Sequence, residues 1–184
     1  MSRRPQTPQN PRLFAKNKVM DLLAAREHSE KELRTKLRES FRRSFRARKK
    51  LRENEGEEFV ESLEAQQAEI EIAIDEAIEF AKTNKWMGAP EQVSRKMADV
   101  LHRRNKGIKY INGYLQEKGL PAIESDRDFE LEKALALVKN KFSGIAELPY
   151  EEKRKEQARV ARYLASRGFD ADIVRKVIYE KLRD

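Results

Sequence analysis

The sequence predicts an all-α protein, drawn out as an elongated tandem array of small helical modules. Three observations carry that expectation. Apolar residues recur at helical spacing along nearly the whole chain. No stretch alternates β-branched and polar residues in the manner of a strand. Of 184 residues, 39% are charged and only 39% hydrophobic, which suits thin packing better than one thick core. Breakers are also few, with seven glycines and six prolines, three of the prolines within the first eleven residues.

The start, MSRRPQTPQNPR, is basic and rich in Pro, Gln and Asn, and no apolar leader follows it, so a short disordered tail is expected. Leu13, Val19, Met20 and Leu23 mark a first helix over about 11–26. In LLAAREHSEKELRTKL, residues 22–37, that helix ends near Arg26 and a short one opens at Ser29. Ser29 and Glu32 have the spacing of a capping box, with Leu33 and Leu37 on one face behind it. The run FRRSFRARKKLR, residues 41–52, interleaves Phe41 and Phe45 with eight cations. It reads equally as a segment that tracks phosphates and as a helix end with solvated cations and packed phenylalanines.

Leu63, Ile70, Ile74, Ala77 and Ala81 mark a long helix within 57–82. Trp86 and Met87 follow as expected hydrophobic plugs between helices, and Pro90 suits the first turn of the next one. That helix carries Val93, Met97, Val100 and Leu101. A short helix with Ile108, Ile111 and Leu115 is stopped by Gly119 and Pro121. Leu131, Leu135 and Val138, then Ala158, Ala161 and Ala165, then Ile173 and Val177 mark three more. The opening motif returns twice. VLHRRNKGIKYINGYL breaks at Gly107, and RYLASRGFDADIVRKVI breaks at Gly168 with a cap expected at Asp170. Helix, tight joint and short helix thus repeat some 60 to 80 residues apart, as in repeat architectures. Both corner glycines are expected to take up a left-handed backbone.

The net charge is +8 and the pI about 9.6, which points to an acidic partner. Residues 1–52 carry net +12, residues 53–92 net −10 and residues 93–184 net +6. A positive stripe must therefore either escape the acidic block or be covered by it. There is no cysteine, which excludes disulfides, thiol chemistry and cysteine-held metals. No apolar run approaches the roughly 18 residues that span a membrane, and a cytoplasmic protein is expected. His28 and His102 lack metal-ligand neighbours at the usual spacing. NKGIKYINGY has no phosphate-cradling ending, and ENEGEE lacks the alternation of a calcium loop. No catalytic constellation, cofactor or metal is expected.

Three stretches, LLAAREHSEKELRTKL, RRNKGIKYINGYLQEKGLP and VARYLASRGFDADIVRKVI, resemble the RecX family of bacterial recombination regulators, over roughly residues 12–182. Arg26, Ser29, Glu32, Leu33 and Leu37 match the family pattern, as do Gly107, Ile111, Leu115, Lys118 and Gly119, and more softly Arg167, Gly168 and Phe169. At NKWMGAPEQV, Gly88 and Ala89 stand where the family usually has two aspartates. The resemblance implies three three-helix modules in tandem: a tail over 1–11, a first module with its basic extension over 12–52, a second over 53–122 and a third over 123–184. It also implies a non-enzymatic, monomeric regulator of RecA and of the RecA–DNA filament, acting on ATP hydrolysis and strand exchange in recombination, DNA repair and the SOS response. The alternative is a sequence-nonspecific DNA-binding protein. On either reading the expected contact residues are Arg26, Arg34, Lys36 and Arg38, then Arg103, Arg104, Lys106 and Lys109, then Arg167, Arg175 and Lys176.

Overall fold

The structure, a computed structural model, describes residues 10–55, 63–142, 145 and 148–182, with side chains described outside 48–66 and 180–184. Residues 1–9 of the expected tail lie outside the described residues. Those described hold eight helices and no strand. None of these helices is long and apolar enough to cross a membrane. The chain divides into two compact units, Met1–Ala89 and Pro90–Asp184.

In the first unit, α1 (Pro11–Ala25) begins one residue earlier than the expected module. The Asn10 carboxamide accepts from the Leu13 N–H at 3.1 Å, and proline occupies the first helical position, where no N–H is needed. The next helix, α2 (Glu30–Glu55), starts where the sequence places it. The Ser29 hydroxyl accepts from the Glu32 N–H at 3.1 Å, a cap worth roughly 0.5–2 kcal/mol. It is not short, however. The expected short helix and its basic extension form one continuous helix of 26 residues. Phe41 is buried against Phe14, with ring centroids 4.8 Å apart, and Phe45 is half-buried on the same core. The phenylalanines of the basic run are therefore packing residues.

The sequence reading puts the acidic helix α3 (Leu63–Thr83) in a second module over 53–122, and here the structure differs. Ala73, Ile74, Ala77, Ile78 and Ala81 make one buried stripe that packs with Ala15 and Val19 of α1 and Leu37 and Phe41 of α2. The alanines leave room for α1 to lie close, so the stripe is spent on the first core and α3 belongs to the first unit. Trp86 is not a buried plug. It remains 41% exposed and meets the Phe80 ring edge-on at 5.2 Å, while Met87 packs on the core.

The second unit has two cores. Val93, Ala98 and Leu101 of α4 (Pro90–Arg103) pack with Ile111 and Leu115 of α5 (Ile108–Glu117) and with Leu120 beyond it. The other core joins α6 (Arg127–Lys141), α7 (Tyr150–Ser166) and α8 (Ala171–Leu182) through Ala134, Val138, Val160, Leu164, Phe169 and Val177.

α3, α4, α5 and α7 all end in the same way, with crossed backbone bonds that satisfy the last carbonyls. Trp86, Lys106, Leu120 and Phe169 each donate back to the residue five positions earlier. The left-handed residue of each turn is Lys85, Asn105, Gly119 and Gly168 in that order. Gly107 is not among them. Its φ is −80°, so the left-handed backbone expected there belongs to Asn105, and Gly107 needs another explanation.

Candidate functional site

That explanation lies where the second and third copies of the repeated corner meet. A Cβ on Gly107 would sit 2.4 Å from the backbone carbon and oxygen of Gly168 and from the nitrogen of Phe169. A Cβ on Gly168 would sit 2.4 Å from that of Tyr110. Glycine is present at both positions because two backbones touch. The contact supplies partners for the start of α5. Gly107 N–H donates to Arg167 O at 2.8 Å, and Lys109 N–H donates to Gly168 O at 3.0 Å. Between them, Ile108 N–H donates to the Glu130 carboxylate at 3.0 Å. All three groups are amides that the first turn of a helix leaves without intrahelical partners.

Glu130 is buried, and so is its ion-pair partner Lys133, one turn along α6. The Lys133 ammonium also donates to Lys106 O at 2.8 Å and lies 2.9 Å from Nδ1 of His102. Its remaining sides face the rings of Phe129 and Phe169. No spacing signal in the sequence marks this network as buried, although Glu130 and Lys133 are three apart on a helix.

The same contact gathers cations that the sequence separates by some 60 residues. Arg103, Arg104, Lys106 and Lys109 from one corner stand beside Arg167 from the other, whose guanidinium donates to Arg104 O at 3.3 Å. Lys106 lies 4.1 Å from the centroid of the Tyr110 ring, and Arg167 lies 5.0 Å from that of Tyr163. Both pairs are four residues apart on the chain, a spacing that places them on one helix face and that was readable in advance. Lys109 is paired with Asp170 at 2.9 Å, so Asp170 serves this ion pair through its carboxylate. Arg103 donates to Asp99 O, and Arg175 pairs with Asp172. Arg104 and Lys176 are exposed, with no ion-pair partner among the described residues.

In the first unit the expected contact cations are largely engaged by the chain's own acids. Arg38 forms a two-pronged pair with Glu71, both distances 2.7 Å. Arg34 bridges Glu30 and Asp75, and Lys82 reaches Glu30 at 2.9 Å. The hydrogen bond from Lys82 holds the Glu30 carboxyl below its usual range, and that from Arg38 does the same for Glu71. The acidic block thus covers part of the basic stripe. Arg26 is paired with Glu32 at 2.5 Å. Lys36, half-buried, has no ion-pair partner among the described residues.

His28 is buried behind that pair. Its Nδ1 lies 3.0 Å from a Glu32 oxygen, close enough for a charge contact but without the alignment of a hydrogen bond. Burial, more than any neighbour, holds both His28 and His102 below the ordinary 6.5; Lys133 adds to the effect at His102. The unfolded chain therefore takes up protons on these histidines at higher pH than the folded one does. Stability should fall as pH drops below 6.5. It should fall again below about 4.5, where Glu30 and Glu71 protonate in the unfolded chain before they do in the folded one. Urea midpoints measured from pH 8 to pH 4 check this, and a midpoint that rose between pH 7 and pH 5.5 would contradict it.

Comparisons with known proteins agree with this geometry. Residues 15–40 match the model of the first three-helix domain of RecX, and residues 128–178 match that of the third. The chain is 31% identical over 176 residues to the regulatory protein RecX of Leptothrix cholodnii, covering 91% of this chain and 89% of that one. It is 26% identical to the regulatory protein RecX of Clostridioides difficile, covering 91% and 68%. In fold it is similar to the crystal structure of RecX from Lactobacillus salivarius, with a TM-score of 0.63 at 18% identity over 93% of this chain and 96% of that one. A second crystal structure, titled regulatory protein RecX, gives 0.60 at 17% identity over 95% and 74%.

Proposed function

This chain belongs to the RecX family of non-enzymatic regulatory proteins, and on that premise we propose that it binds RecA and the RecA–DNA filament and restrains ATP hydrolysis and strand exchange. The 31% identity to a regulatory protein RecX over nearly the full length of both chains carries this reading. The array of modules is the means. Each module contributes a modest contact, and tethered modules engaging successive protomers add through effective concentration. Seated in this way, the chain obstructs a second DNA and disfavours the hydrolysing arrangement of protomers. Three modules with the boundaries 12–52, 53–122 and 123–184 were the sequence expectation; we propose instead that the first module runs through α3 to residue 83, since α3 shares its core.

The eleven cations divide into two groups on this reading. We assign the contact to the gathered corner, Arg103, Arg104, Lys106 and Arg167, together with Lys36 and Lys176. Arg26, Arg34, Arg38, Lys109 and Arg175 already have acidic partners within the chain and mainly hold the fold. The test is inhibition of RecA ATP hydrolysis by two variants, Arg104→Gln/Lys106→Gln/Arg167→Gln and Arg34→Gln/Arg38→Gln. The corner variant should fold normally and inhibit at least tenfold less well. The other should lose about 0.2–1 kcal/mol of stability for each pair and inhibit nearly as the parent does. Naked DNA is the control. If the corner variant loses DNA affinity and salt slope while inhibiting RecA at full strength, the chain is a DNA-binding protein instead. If the parent inhibits nothing, the proposed function is wrong.

A further inference from the structure

We propose that the groove between α5 and the stretch 120–125 is a docking site for an uncharged, apolar-faced helix of a RecA protomer. This rests on the reading above, that RecA is the partner. The groove encloses about 720 Å³ and is lined by Ile108, Gly113, Gln116, Leu120, Ala122 and Ile123 along its length. One wall is held in place deliberately. The Asn112 carboxamide accepts from Ile123 N–H at 3.0 Å and donates to Ile123 O at 3.1 Å, which fixes the extended stretch alongside the helix. Lys109 and Asp170, at one end, neutralise each other. The remaining lining is apolar, amide or hydroxyl, so it complements a segment without charge and offers nothing to a phosphate.

Gly113 indicates how close the partner comes. It stands mid-helix in a helix of ten residues, where glycine forms a weaker helix than alanine. Nothing inside the chain requires it. A Cβ built there meets no heavy atom within 4 Å. The contrast with Gly107 and Gly168 is direct, since each of those is demanded by a backbone pressed against it. A bare spot in the floor of a groove lets another helix approach α5 at short range, as small residues do where helices pack closely, and helix-in-groove is a recurring mode of recognition. The amphipathic helix that fills it would lay its apolar face on Leu120, Ala122 and Ile123 with its axis over Gly113.

The experiment replaces Gly113 in the full-length chain by Ala and by Leu, and measures three quantities for each: thermal midpoint, affinity for RecA filaments on single-stranded DNA, and mass in solution. Both side chains project into open space, so both variants should fold, and Gly113→Ala should melt at a higher temperature than the parent. The expected result is a binding loss that grows with side-chain size while stability does not fall: about twofold or more for Ala and at least tenfold for Leu. Filament addition should also slow hydrogen exchange of the backbone amides of 120–125. Parental affinity in both variants, with a parent that does bind, would overturn the groove and leave RecA binding intact. A parent that does not bind the filament would instead sink the proposed function. A Leu variant that changes the mass of the free protein rather than its filament affinity would mark the groove as a self-association face. Loss of naked-DNA binding alone would assign it to nucleic acid. Either of these two outcomes overturns the proposal.

Discussion

Replacing Gly107 by alanine should disrupt the second unit even though only one methyl group is added. The new carbon would stand 2.4 Å from three backbone atoms of Gly168 and Phe169, and backbone within a closed helix turn cannot swing aside as a side-chain tip can. The two corners must separate. Arg167 O and Gly168 O then move away from the amides of Gly107 and Lys109. Overpacking of this kind costs about 1–3 kcal/mol, and a buried amide left without a partner about 1–3 kcal/mol more. A loss of roughly 2–5 kcal/mol is expected in denaturant unfolding. Amide exchange should localise the damage, with protection lost at 107–111 while the amides of α1 and α2 are unchanged. A midpoint within 0.5 kcal/mol of the parent, a flagged tolerance for surface-like changes, would mean that the corners do not touch.

Glu130→Ala should be comparably severe, for a different reason. The Lys133 side chain is only 7% exposed and depends on that carboxylate for its counter-charge. Removing one member of a buried pair typically costs about 3–5 kcal/mol, because the other charge stays behind without compensation. The Ile108 amide also loses its acceptor. The double variant Glu130→Leu/Lys133→Met tests the cause. With no charge left behind, most of the lost stability should return, since buried pairs exchanged for apolar residues are often neutral or better. If Glu130→Ala costs less than about 1 kcal/mol, the value of an exposed pair, the network is solvated. If the double variant is worse than the single one, the desolvation account fails.

Much of this fold is legible in the sequence, because the signals that define helices are local. The Ser29 cap needs only a residue three positions on, and the stops at Gly119 and Gly168 depend on the turn they close. All eight helices can be located from apolar spacing for the same reason. Legibility ends where the determinant is distant. Arg34 and Arg38 look available until Asp75 and Glu71, some 30 to 40 residues on, are seen beside them. The net charge of a segment cannot reveal that its acidic neighbour folds against it, only that it might do so or not. The apolar stripe of α3 announces that the helix is buried, but not against which core. Gly107 is the instructive error. Its position after a helix suggests a left-handed turn, whereas its role is to allow contact with a residue 61 positions later, and an inference from local backbone preference has no access to that. Gly113 carries the opposite lesson, since neither local geometry nor internal packing requires it.

The borrowed start of α5 has a consequence for synthesis. A helix normally finds partners for its first amides in its own cap or in water, but α5 draws on Glu130, Arg167 and Gly168. When Gly107 leaves the ribosome, the last of these lies about 60 residues upstream in the queue still to be translated, which is about 3–12 s at ordinary elongation rates. During that interval α4 and α5 have their shared apolar face but not their terminal bonds, so the pair is provisional. Nascent chains arrested shortly before residue 168 should leave α5 open to proteases, and those arrested once α8 has emerged should protect it. The middle of this protein is finished by its end.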